Sequence, residues 1–425
     1  MIDWMSLFLG GLIGGIISTF FSIIYIRDKE KKEEKTKKEI IHKLLESANN
    51  LTNLDRFEDS KPIYNELLTM VSAKKYPLIY PEIKYCQGNC FRGIGKTTQD
   101  INAFFTAINY YYESADLYKK NDKYLEYSWC KNNLGATYSS LAEFKGILEY
   151  FDKAIESYND ALEIRTRDKY PEYYAKTKMN IGNIYLKLSK IKENKKQEIE
   201  YAISQYSEAL ETYENLKNNK GIASIKQYLG VCYKDLFDVD GKKDNLLKSI
   251  IYFSNALEII TIPDYPKDYA NAQDSLGNTY KKLSSYENKE INLNKAISCY
   301  KKSLEVVEKK SPDHARVLGN LGSVYRLYFE VNDSKKCLEQ SIKYYNKSLE
   351  IYLPNKYPFE YARIRKNMGN AYRDLSRISD KKHNLKLAIE CYESAQDIYK
   401  DKYIDLYNEV SNYLREINEE ILSGQ

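Results

Sequence analysis

The sequence runs to 425 residues, with 65 Lys+Arg against 60 Asp+Glu and a net charge of +5. That length suits two or three ordinary domains or one elongated repeat array, and so small an excess of positive charge gives no nucleic-acid signal. Three His leave little for a His-rich metal site or His-based catalysis, and seven scattered Cys without CxxC pairs point to a reducing compartment rather than a disulfide framework.

The chain opens on an apolar run. Met5 to Ile26 carries no charge, and as a helix its length is about 33 Å, enough to cross a hydrocarbon core of roughly 30 Å. Trp4 and Tyr25 stand at its two ends, where amphipathic rings sit at the headgroup level. The alternative, a cleaved signal peptide, wants a basic stretch before the run and a small-residue cleavage site after it. Here Asp3 precedes the run, and Tyr25-Ile26-Arg27 closes it. A retained transmembrane helix is therefore expected. Lys and Arg are absent before the span, while Arg27, Lys29, Lys31, Lys32, Lys35, Lys37 and Lys38 follow it. The positive-inside rule then places the N-terminus outside and everything from residue 27 onward in the cytoplasm. Gly10 and Gly14, and Gly11 and Gly15, are four apart, a spacing that lets two membrane helices approach closely. A homo-oligomer through the anchor is one expectation from these rows; the other is that Gly is simply common in such helices. Residues 27–39 mix both signs of charge and predict a solvated helical stalk.

From residue 40 to residue 402 one unit recurs. A Gly between aliphatic and aromatic residues stands at 88, 135, 182, 230, 277, 322 and 369, at intervals of 47, 47, 48, 47, 45 and 47. Leu134-Gly135 is followed by Tyr138, Leu276-Gly277 by Tyr280, and Met368-Gly369 by Tyr372. Seven residues before these Gly stands a small residue, as at Ser128, Ala175, Ala270 and Ala362. A second landmark keeps the period: Ala154-Ile155/Tyr158/Ala161 returns as Ala202-Ile203/Tyr206/Ala209 and on to Ala388-Ile389/Tyr392/Ala395. Spacings of four and seven put each set on one helix face, where Gly or Ala admits a close neighbour and an aromatic ring fills the adjoining gap. Tyr76-Pro77, Tyr170-Pro171, Tyr265-Pro266 and Tyr357-Pro358 mark breaks between units, because Pro cannot continue a helix. The reading is about eight helical hairpins, the first degenerate with Ile41 in place of Gly. An amphipathic stretch, 403–425, would cap the last open face.

These landmarks resemble the tetratricopeptide repeat, which places Leu-Gly and a following Tyr on its first helix and Ala, an aromatic residue and Ala on its second. The unit here is about 47 residues against the family's usual 34. The extended unit looks like those of arrays in prokaryotic signalling proteins. The resemblance implies an all-α fold, a right-handed α-solenoid of helix hairpins behind the N-terminal transmembrane helix. It also implies that the first helix of each pair lines a concave groove. Asn89, Asn133, Asn180, Asn183, Asn278, Asn320, Asn367 and Asn370 flank the landmark Gly on those helices, and Lys176, Arg316, Arg363 and Lys366 lie near them by helical phase. Asn both donates and accepts, so a row of them can pair with the amides of an extended peptide; otherwise each only satisfies a neighbouring helix. Lys366 with Asn370 matches one piece of the family's carboxylate clamp, but Asn132, Met179 and Gln227 occupy the corresponding earlier places.

Two weaker patterns complete the reading. Cys86 and Cys90 share a helix face but lack a second ligand pair, and read as small core residues. Gly93-Ile94-Gly95-Lys96-Thr97 lacks the leading Gly and the preceding strand of a phosphate loop. The expected function is a non-catalytic, membrane-anchored adaptor that binds a protein or peptide in its groove, with no cofactor, metal or nucleic acid. The alternative is a regulatory sensor whose solenoid changes shape on peptide binding and signals through associated anchors.

Overall fold

The computed structural model describes residue 29 and residues 31–422, and the regular secondary structure among the described residues is entirely α-helical. The expected membrane span, with Gly10, Gly11, Gly14 and Gly15, lies outside the described residues. Among those described, no helix is long and apolar enough to cross a membrane.

The chain divides into two compact units, one ending at Ile184 and the other beginning at Tyr185. The first holds α1 (31–53), α2 (Phe57–Met70), α3 (Ile79–Thr98), α4 (Ile101–Lys120), α5 (Tyr124–Lys145), α6 (Leu148–Leu162) and most of α7 (Pro171–Leu188). The second holds α8 (Lys195–Asn215), α9 (Asn219–Asp240), α10 (Lys243–Leu257), α11 (Pro266–Leu283), α12 (Lys289–Val306), α13 (Pro312–Asn332) and α14 (Lys335–Leu349). It ends with α15 (Pro358–Ser376), α16 (Lys381–Tyr399) and α17 (Ile404–Leu422). Within each unit, consecutive helices pair as hairpins and each hairpin packs on the next.

The helix ends follow from the punctuation. Pro171, Pro266, Pro312 and Pro358 each open a helix, where the missing N–H would have had no partner and the fixed φ suits the first turn. Gly146 and Gly241 close α5 and α9 at φ +67°, a left-handed backbone in which an added Cβ would be strained.

The repeated contact is between the landmark Gly and the landmark ring of the same hairpin. A Cβ added at Gly88, Gly135, Gly230, Gly277, Gly322 or Gly369 would lie 2.6–2.9 Å from Tyr111, Tyr158, Phe253, Tyr300, Tyr345 or Tyr392 respectively. The eight second-helix rings, these six with Tyr64 and Tyr206, are no more than 3% exposed. Burying a ring of this size stabilises the fold by about 3 kcal/mol, so the rings and the glycines that admit them set the hairpin spacing. At four small positions held by Ser instead of Ala, the hydroxyl donates to a carbonyl on the neighbouring helix at fixed register. Ser249 and Ser341 reach Gly230 O (2.8 Å) and Gly322 O (2.7 Å), while Ser303 and Ser348 reach Ala270 O (2.9 Å) and Ala315 O (2.8 Å). The hydroxyl thus stays satisfied inside the core.

Both ends of the described chain are built in. The boundary drawn between stalk and array at residue 39 falls inside α1. Glu34 on that helix pairs with Lys75 (2.6 Å) and accepts from Tyr76 OH (2.8 Å), so the charged stretch is tied to the loop after α2. At the other end α17 buries Val410 and Ile417 against Ala388, Tyr392 and Tyr399. Lys366–Glu409 (2.9 Å) and Arg373–Glu416 (2.8 Å) rim that contact.

Candidate functional site

Residues on the first helices of the leading repeats converge in unit 1. The α3 residues Glu82, Tyr85, Asn89, Arg92 and Lys96 follow the three- and four-residue steps of one helix face. With Asn49 and Asn53 of α1 and Glu126, Trp129 and Asn133 of α5 they line a cavity of about 930 Å³. Inside it the amides form a ladder. Asn133 Nδ2 donates to Asn89 Oδ1 (2.8 Å) and to Tyr85 OH (3.0 Å), and Asn89 Oδ1 also accepts from the buried Tyr111 OH (2.8 Å). The Tyr85 ring lies 5.9 Å from Tyr111 and 6.4 Å from Trp129, centroid to centroid. Tyr64 OH donates to Asn49 Oδ1 (2.7 Å) on the opposite wall. The core tyrosines therefore brace the cavity asparagines from behind.

Several wall groups are left without partners. Trp129 Nε1 is buried and has no hydrogen-bond acceptor. Among the described residues Glu82, Arg92 and Glu126 make no hydrogen bond or ion pair through their side chains. Burial raises the Glu82 carboxyl above the usual carboxylate range, with His42 opposing it. Burial also raises the Tyr85 phenol and pushes the Cys86 thiol up to about 12, so Cys86 is held as a thiol. Cys90 is fully buried and likewise raised by burial. Gly93 to Thr97 form part of α3 rather than a loop.

The rest of the first-helix row is more heavily committed. In unit 1, Asn180 Nδ2 lies 3.4 Å from Asn132 Oδ1, Asn183 is half-buried and partnered, and Lys176 is exposed. Beside them Arg165 is 3% exposed and faces Ser128 and Thr177 hydroxyls (both 3.0 Å), and burial pushes its guanidinium down to about 10. In unit 2, Asp274 gathers Arg316, Asn320 Nδ2 (2.9 Å) and Asn278 Nδ2 (3.3 Å). Asn320 is buried in that network instead of facing a groove, and Arg316 is neutralised by Asp274 and Asp313. Asn278 and Asn370 accept from Tyr300 OH (2.9 Å) and Tyr392 OH (2.6 Å), the arrangement seen at Asn89. Lys366 is paired to Glu409 of α17. Among the candidates Asn367 and Arg363 are half-buried, with no hydrogen bond or ion pair among the described residues. Burial, with Arg363 adding to it and Asp274 opposing, pushes the Lys281 ammonium of α11 down to about 8.

The structure thus brings two of the predicted asparagines, Asn89 and Asn133, into one cavity and ties most of the others into interhelical bonds. Glu82, Arg92, Trp129 and Lys281 were missed, because none sits at a position that the repeat keeps constant. One signal was available: each is a charged or aromatic residue three, four or seven residues from a landmark Asn (Asn89, Asn133 or Asn278), on the same helix face.

Residues 128–168, the α5–α6 hairpin and the turn after it, match the sequence model of the tetratricopeptide repeat family. That hairpin is similar in sequence to the tetratricopeptide repeat. The fold resembles that of the apo form of RapI, at a TM-score of 0.53 and 15% identity over 91% of this chain and 99% of that one. A Rap protein complexed with Competence and Sporulation Factor aligns over the same shares at a TM-score of 0.44 and 12% identity. BtubC from P. vanneervenii aligns over 58% of this chain and 89% of that one, at a TM-score of 0.43 and 18% identity. No curated protein matches the chain in sequence. At these identities the likeness is one of fold.

Proposed function

We propose that this chain is a non-catalytic tetratricopeptide-repeat adaptor that holds a protein or peptide partner on the first helices of its repeats, tethered to a membrane by residues 5–26. The observation that carries the proposal is the unit 1 cavity, walled by braced asparagine amides and the Tyr85 and Trp129 rings, with polar groups left unpaired. Such a wall suits an extended chain. Amides exchange hydrogen bonds with a peptide backbone whatever its side chains, and aromatic faces cover the apolar parts. The Cys86 thiol in the wall is held protonated by burial and so is not poised as a nucleophile, which fits the non-catalytic reading. The membrane tether rests on the uncharged 22-residue run and on the Lys and Arg that follow it, which also favour a cytoplasmic array.

The test is retention of a random pool of free heptapeptides on the immobilised full chain in detergent, read by mass spectrometry. Wild type should retain peptides that the Tyr85→Ala/Trp129→Ala variant does not, with circular dichroism confirming that the variant is folded. Equal retention by both would refute the cavity as the binding site. A change in the small-angle scattering profile on adding retained peptides would favour the sensor over the passive adaptor.

A further inference from the structure

The charges in the unit 1 cavity are arranged, not merely present. Its lining includes three cations, Arg92, Lys96 and Lys123, and three acids, Asp55, Glu82 and Glu126, so the wall is balanced. A ligand of one sign only gains nothing from such a wall. Yet the charges without partners are separated along it. Glu82 lies near the start of α3 and Glu126 near the start of α5, while Arg92 lies toward the end of α3. The ten-residue step from Glu82 to Arg92 spans about 15 Å of helix at 1.5 Å per residue. An extended chain covers that distance in four or five residues at about 3.3 Å each. Between the two charges stand the Asn89–Asn133 amides and the buried Trp129 N–H, which lacks an acceptor. A buried donor left unpaired costs about 1–3 kcal/mol, and a backbone carbonyl placed against it would recover that.

We infer that the cavity takes an extended peptide segment carrying a basic and an acidic side chain four or five residues apart, the basic one against Glu82 and the acidic one against Arg92. This rests on the peptide-binding reading and adds to it a charge order and a spacing. The Trp129 N–H donates to a carbonyl of the segment between them. Glu82 sits in a partly desolvated place, where burial already disfavours its ionised form, so an arriving ammonium or guanidinium restores the carboxylate and is held by it.

The experiment reads the sequences of the heptapeptides retained by the full chain. Wild type should enrich peptides with Lys or Arg and Asp or Glu separated by four or five positions in one fixed order, by roughly tenfold over the input pool, the effect of one charge-assisted hydrogen bond. Glu82→Gln should lose the enrichment of the basic residue alone, and Arg92→Gln that of the acidic residue alone. Glu82→Lys/Arg92→Glu should reverse the order. Peptides retained with no spaced charge pair, or with an order indifferent to the swap, would overturn the inference while leaving peptide binding standing. No retention by wild type would overturn both.

Discussion

The close approach of a landmark Gly to its ring sets a sign that can be measured. Gly277 lies inside α11, an 18-residue helix, where replacing Gly by Ala ordinarily stabilises by about 1 kcal/mol through helix propensity. Here the new Cβ would stand 2.7 Å from Tyr300 Cε1 and 3.0 Å from Cδ1 and Cζ. The Tyr300 ring cannot yield freely, being fully buried with its hydroxyl donating to Asn278 Oδ1 at 2.9 Å. Overpacking of a tight core costs about 1–3 kcal/mol, and stretching the hydroxyl bond about 1 kcal/mol more. Gly277→Ala should therefore destabilise by about 1–3 kcal/mol net. The assay is urea unfolding followed by far-UV circular dichroism, beside Tyr300→Phe, which keeps the ring and should lose only about 1 kcal/mol. A Gly277→Ala midpoint at or above that of wild type would mean that the propensity gain is realised and that the helices do not approach as described.

Three further outcomes are expected. Ile417→Ala removes a fully buried side chain from the contact between α17 and the last hairpin, at about 2–5 kcal/mol; hydrogen exchange should show amides of 404–422 losing protection before those of α13, and uniform loss would contradict it. Lys281, pushed down to about 8, should be acetylated ahead of other lysines at pH 8 with a rate midpoint near that pH, and a midpoint near 10.5 would refute its burial. Because a depressed ammonium penalises the folded state when protonated, the penalty is full below pH 8 and fades as the pH rises toward 10.5, so Lys281→Met should stabilise at pH 7 and have little effect at pH 10. Protease added outside intact cells should leave the repeats uncut if residues 5–26 anchor them on the cytoplasmic side; digestion from outside would reverse the orientation.

The hairpin architecture was legible because neighbouring repeats impose one requirement on each copy. A Gly at 277 and a Tyr at 300 are chosen by the same close contact that selects Gly369 and Tyr392, so the period repeats the reason and not only the residue. The asparagine row was legible as a row but not as a surface. Asn320 and Asn133 each stand two residues before the landmark Gly, yet one is buried on Asp274 and the other lines a cavity, because the deciding partner comes from a helix one repeat away and differs from copy to copy. Arg316 and Lys366 show the same limit: a cation is free or neutralised according to an acid 42 or 43 residues distant.

Sequence alone determined the repeat, its length, the positions of its glycines and rings, and a 22-residue apolar run with its flanking charges, since each depends on spacing along the chain. Tertiary structure decided which polar groups remain unpaired. It left Glu82, Arg92 and the Trp129 N–H open in one cavity and committed most other candidates to interhelical bonds. Whether a polar side chain is free depends on what stacks beside it, and no local pattern encodes the partner's identity or reach.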